Sequence, residues 1–167
     1  MQPTLAGFQS FIVNVMGINT TILPADSPVI AMALGVALGI VNQALLAAGC
    51  GPSIPGVPPI SFYTLAVYNL AGSNLLSYAQ DQPDAPNVPG SNPPAPFFQN
   101  LRQKWDLLGF VSGVVTAAGD EGTNTTLIVQ EAAKNFTLAN LQQLKDPYGR
   151  QYLAIAQSYG PSIVGLS

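Results

Sequence analysis

The sequence has no histidine and a single cysteine, Cys50. Within these residues a histidine-based triad, an imidazole proton shuttle and a metal site built from several His or Cys ligands are excluded. An intrachain disulfide is excluded too. That argues against a disulfide-stapled secreted scaffold and fits a reducing compartment. Charge is almost as scarce. Only 8% of the 167 residues are Asp, Glu, Lys or Arg, against about 25% in an ordinary soluble domain. No lysine or arginine precedes Arg102, and residues 1–101 carry only Asp26, Asp81 and Asp84. The five basic residues are Arg102, Lys104, Lys134, Lys145 and Arg150, and the net charge is −3. A nucleic-acid binder needs a basic patch to displace counterions from phosphates. None is visible, so specific DNA or RNA binding is not expected. An acidic wall past which DNA slides is allowed.

What is present is apolar and helical in pattern. Hydrophobic residues make up 48% of a chain long enough to bury one core without staples. Phe8, Phe11, Ile12 and Val15 follow i, i+3, i+4, i+7 spacing and predict a helix over about 4–16, ended by Gly17. Ser27 and Pro28 open a second helix, over 27–49, stopped by Gly49. Its run PVIAMALGVALGIVNQALLAA is long enough to span a bilayer. Asn42 and Gln43 interrupt it, however, and no Lys or Arg flanks it to set an orientation. The preferred reading is a helix buried against other helices, with Leu38 in the contact. A small membrane-embedded oligomer is the alternative. Residues 1–24 lack the basic start of a secretory leader.

Residues 50–59 are too rich in Pro and Gly for a helix or a central strand. Ser61 caps a third helix reaching about Gln80. The stretch 81–96 holds six prolines and reads as an extended excursion or linker. Phe98, Leu101, Trp105 and Leu108 form a helical stripe closed by Gly109. The period then changes. Alternating apolar residues on either side of Gly119-Asp120-Glu121-Gly122 predict a β-hairpin over 111–129. Val111, Val115, Leu127 and Val129 form its apolar face, and an acidic tip projects toward a neighbour or a lumen. A short helix follows from Thr137. A last helix starts at Asp146-Pro147, carries Tyr148, Tyr152, Ile155 and Tyr159, and ends at Gly160-Pro161. Residues 161–167 then form an apolar arm whose Ile163, Val164 and Leu166 dock on a partner. The fold class is mainly α: one domain over 1–167, a helical bundle with one β-hairpin and two extended arms.

Sites for chemistry are few. Asp120-Glu121 lacks the ligand ladder of a calcium loop and reads as a solvated turn, as well as a candidate contact point. Asp81 and Asp84 sit in the Pro-rich stretch with no visible scaffold. Cys50 has no His partner and reads as a small apolar filler. Asn19, Asn124 and Asn135 open N-x-T triplets, to which no weight is given without a leader. No catalytic, cofactor-binding or metal site is expected. Apolar residues on most helix faces, with Asn and Gln in place of charges, are instead the pattern of an obligate interface.

Three stretches carry a resemblance to a known family: MGINTTILPADSPVI with VNQALL, FYTLAVYNLAGSNLLSYAQD, and LQQLKDPYGRQYLAIAQSYGPSIVGLS. In texture and order they resemble head-to-tail connector (adaptor) proteins of tailed bacteriophages. The resemblance implies a structural virion protein at the neck, assembled in the host cytoplasm. It implies a homo-oligomeric ring, commonly of twelve copies, under the portal vertex. The partners would be the portal protein above and a tail or nozzle protein below, with DNA passing through the lumen and ejected along it. It implies a terminal arm reaching the portal, and neither a catalytic residue nor a cofactor.

Overall fold

The computed structural model describes residues 2–46, 61–108, 117–120, 123–126 and 143–164, with side chains for most of them. The described part is mainly helical. Its centre is the helix Phe62–Tyr78. Residues on all its sides are buried, from Tyr63 through Val67 and Leu70 to Leu76. A helix buried all round has no polar stripe to offer water, and this one has none. Several of its polar residues bond locally instead. Ser61 caps it by accepting from the Thr64 amide at 3.1 Å. Asn69 Nδ2 donates to the Leu65 carbonyl, and Ser77 Oγ to the Ser73 carbonyl.

Among the described residues, four other helices lie against it. We number the helices α1 (Leu5–Asn14), α2 (Pro28–Ile40), α3 (the central helix), α4 (Phe97–Lys104) and α5 (Pro147–Val164). All four pack on α3. Helix α1 is capped by Thr4, whose hydroxyl accepts from the Gly7 amide. The Tyr68 hydroxyl of α3 bridges the Thr4 amide and carbonyl, fixing where α1 begins. The chain reverses after α1 through Gly17 at φ +70°, where glycine is needed. In the following loop Asn19 Oδ1 accepts from the amides of Thr21 and Ile22. This Asx turn gives the Asn19 side chain a structural role. Phe8, Phe11, Tyr68 and Tyr148 form an aromatic cluster joining α1, α3 and α5, with centroids 5.8–6.3 Å apart.

The expected helix starts at 4, 28, 61 and 147 match those observed, but several ends do not. Helix α2 stops at Ile40, not near Ala48. Val41 is extended and buried, and the Asn42 side chain accepts from the Ala44 amide, drawing the backbone into a 3-10 turn over Gln43–Leu46. Leu38 is not in the core contact. It is 37% exposed, and Ile30, Ala33, Leu34 and Ala37 are buried instead. Helix α4 ends at Lys104, before Gly109, because Asp106 takes a left-handed conformation at φ +51°. That swings Leu108 out of the predicted stripe to 70% exposure.

The last helix does not end at Gly160-Pro161. It continues through Val164. A proline φ suits a helix, a residue so near the end forfeits only one bond, and Gly160 has no Cβ to crowd the ring. The arm expected from residue 161 is thus helical over its first four residues. The 81–96 stretch is no linker either. The Val88 amide bonds back to the Ala95 carbonyl at 2.8 Å, and Ala95 is buried.

Two short strands, β1 (Ala117–Asp120) and β2 (Thr123–Thr126), pair antiparallel with Ala117 opposite Thr126 and Asp120 opposite Thr123. The other residues of the span 111–129, over which a hairpin is expected, lie outside the described residues. So do Cys50, the 50–59 loop and the helix predicted from Thr137.

Leu34 and Leu38 are therefore expected to respond differently to truncation. Leu34→Ala opens a cavity under α2 and is expected to cost about 2–5 kcal/mol. Leu38→Ala is expected to cost less than about 1 kcal/mol. Urea unfolding of the two variants measures the contrast.

Candidate functional site

One side of α2 is an uncovered apolar surface. Between Pro28 and Ile40 there is no polar side chain. One side of that helix faces α3, and the other meets water. Met32, Val36 and Ile40 are 48%, 40% and 56% exposed. They succeed one another at i+4, so they form a single ridge. Ala31, Gly35 and Gly39 are exposed too and form the parallel row beside it. A Cβ added at Gly35 or Gly39 would meet nothing within 4 Å. Outlying apolar residues on α1, Leu5 and Val13, are 44% and 45% exposed. Large uncovered apolar patches mark interaction surfaces.

A concavity of about 520 Å³ lies between the Pro-rich excursion and the α1–α2 loop, with Ile22, Asp84, Pro86, Val88 and Phe97 on its walls. One of its two carboxylates, that of Asp81, is already committed to the fold. Asp81 uses both oxygens to cap α4, accepting from Phe98 N at 2.8 Å and Gln99 N at 2.9 Å. Sequence reading placed Asp81 in an unscaffolded loop. The lack of a capping side chain at Pro96, which leaves α4 dependent on a distant acid, was the signal available.

Charged groups elsewhere serve helix ends in the same way. The Arg102 guanidinium donates to the Leu76 and Ala79 carbonyls at the end of α3. Burial lowers its pKa, and the nearby Asp81 charge opposes that shift. Lys145 Nζ bonds to the Asp106 carbonyl at 2.6 Å and lies 3.5 Å from its carboxylate. Two of the five basic residues are thus engaged within the fold.

Asp146 is the most buried acid described, at 1% exposure. Its Oδ1 accepts from the Tyr148 and Gly149 amides at 3.0 and 2.8 Å, capping α5. Its Oδ2 accepts from Ser73 Oγ at 2.7 Å, joining α5 to α3. Burial raises the pKa of this carboxyl, and the Gly149 amide, Ser73, the Tyr148 amide and the Arg150 charge only partly offset it. Gly149 is required here, since a Cβ would lie 2.2 Å from the Gln143 carbonyl oxygen.

Of the predicted contact residues, Asp120, Ile163 and Val164 lie in described elements. Asp120 ends β1 opposite Thr123, and Glu121 lies outside the described residues. Ile163 and Val164 are in the last turn of α5, and Leu166 lies outside the described residues. Among the described residues no group of three or more acids or cysteines is placed to hold a metal ion, and no helix is long and apolar enough to cross a membrane. Comparison with known protein families, curated proteins and solved structures finds no match.

The Asp146 site makes a signed prediction for pH. A carboxyl whose pKa is higher folded than unfolded holds its proton more tightly in the native state. Stability is therefore lost as pH rises from the ordinary aspartate value through the raised one, and is level above it. Asp146→Asn, which keeps an acceptor for both amides, is expected to abolish this slope and to hold the fold at neutral pH. Asp146→Ala strands two amides and a hydroxyl, and is expected to cost about 2–4 kcal/mol. Urea unfolding of the three proteins between pH 3 and 8 checks both points.

Proposed function

We propose that this chain is a structural virion protein of the head-to-tail connector type. In this proposal twelve copies close into a ring that joins the portal vertex to the tail or nozzle protein and lets DNA pass. The observation that carries it is the uncovered apolar surface of α2 on a chain with 8% charged residues. Such a surface belongs to a subunit that is buried among others, since a lone subunit leaves it in water. The stretches that resemble connectors supply the kind of assembly. The engagement of Arg102 and Lys145 within the fold supports a lumen that does not grip phosphates. The 111–129 hairpin would present Asp120 and Glu121 to the lumen or a neighbour, where acidic groups repel DNA. The end of the chain, with Ile163, Val164 and Leu166, would dock on the portal.

Negative-stain imaging of the purified protein, alone and mixed with the portal ring of the same virion, tests this. Closed rings that stack coaxially on the portal are expected. Particles that never exceed one or two copies in either mixture overturn the proposal. So does a protein extracted only by detergent, which would favour the membrane-embedded alternative. Ile163→Asp with Val164→Asp is expected to weaken portal binding at least about tenfold, with the helical circular-dichroism signal retained. Unchanged binding would remove the chain end from the contact.

A further inference from the structure

We propose that the exposed face of α2 pairs with the α2 of a second copy of this chain, across a two-fold axis near Gly35. The face carries both halves of a joint. Ala31, Gly35 and Gly39 form a low row, and Met32, Val36 and Ile40 form a high row beside it, both exposed and both with a four-residue repeat. A two-fold rotation lays the high row of each copy into the low row of the other. That is the packing of i+4 ridges into i+4 grooves, with axes crossing at about −50°. A two-fold contact needs one surface that fits itself, and this one does.

The glycines supply a second argument. Glycine weakens an exposed helix interior relative to alanine. Neither Gly35 nor Gly39 has a positive φ, and a Cβ at either would meet nothing within 4 Å, so the subunit's own fold does not require them. Close approach by an outside backbone does. Charge narrows the occupant further. A partner with charged groups at the contact would bury them unpaired against a helix with no polar side chain. A second copy brings the same uncharged face, so neither attraction nor repulsion has to be accommodated.

The area sets the strength. Half the surface of a helix 13 residues long is about 300 Å², against about 800 Å² per partner in a standard stable interface. The pair is therefore weak and reversible. Cyclic rings contain no two-fold contact between neighbours. The pair is thus a state of the free subunit, which shields α2 until assembly, and it stands or falls separately from the ring.

Sedimentation from about 10 μM to 1 mM, the range of a contact this small, reads the pairing directly. The native sequence is expected to shift from monomer to dimer across that range. Gly35→Leu fills the low row without touching its own fold. It is expected to remain monomeric throughout, with a melting temperature equal to or above that of the native protein. Gly35→Cys in a Cys50→Ser background is expected to form a disulfide dimer on mild oxidation, whereas Thr20→Cys in that background does not. A native chain that stays monomeric to 1 mM overturns the pairing, as does a dimer that Gly35→Leu leaves intact. Binding to phosphatidylcholine vesicles that Gly35→Leu leaves unchanged, with no dimer in solution, would assign the face to lipid and also overturn it. Rings that form while no dimer is seen overturn the pairing and leave the connector proposal standing.

Discussion

The buried carboxylate of Asp146 is the joint on which the helical body turns. Three neutral donors reach it, two amides at the start of α5 and the Ser73 hydroxyl from the middle of α3. One side chain thus starts a helix and ties it to the central one, 73 residues earlier in the chain. Gly149 lets the start of α5 approach the Gln143 carbonyl, so the cap and the close approach depend on each other. Once α5 is fixed there, Tyr148 reaches Phe11, and the aromatic cluster draws in α1. Burying a carboxylate is costly. The raised pKa reflects that cost, and three hydrogen bonds are what make it tolerable.

The same economy governs the other charges. Asp81 caps α4 across a 16-residue Pro-rich excursion, and Arg102 on α4 satisfies the carbonyls at the end of α3. The excursion is thereby clamped at its base: its first residue holds the next helix, and that helix holds the preceding one. Helix ends leave four amides and four carbonyls without partners. In a chain with so few charges, those that lie in the body are spent on these ends more than on ion pairs at the surface. The surface of α2 that results is apolar, with no charged group along the helix.

Local signals were legible and distant ones were not. Ser61 and the Asp146-Pro147 step mark helix starts within two or three residues of their partners, and those starts are where the sequence placed them; the first helix was placed by apolar spacing alone. Helix ends depended on weaker competition. Asn42 diverts α2 eight residues early through its own side chain, and Asp106 ends α4 by taking a left-handed turn that aspartate adopts only in context. Leu38 reads as buried because the whole apolar run does. In a helix with no polar residue every face looks like a core face, so pattern cannot choose between them. The cap from Asp81 to Phe98 spans 17 residues of proline-rich chain, and no window-based reading reaches that far.

That ambiguity in α2 is also what separates a bilayer from a protein as its neighbour. A membrane span must satisfy its backbone over about 30 Å of hydrocarbon, which takes roughly 20 residues of helix. Helix α2 provides 13, and the chain then turns extended at Val41, with its side chain directed into the subunit's own core. The buried row of Ile30, Ala33, Leu34 and Ala37 commits half the helix to α3. What is left is a strip one helix-face wide, bounded on both ends by polar residues at Ser27 and Asn42. A strip of that shape matches another helix in width and length. It is too short to cross a bilayer, and the pairing proposed above would take it out of water.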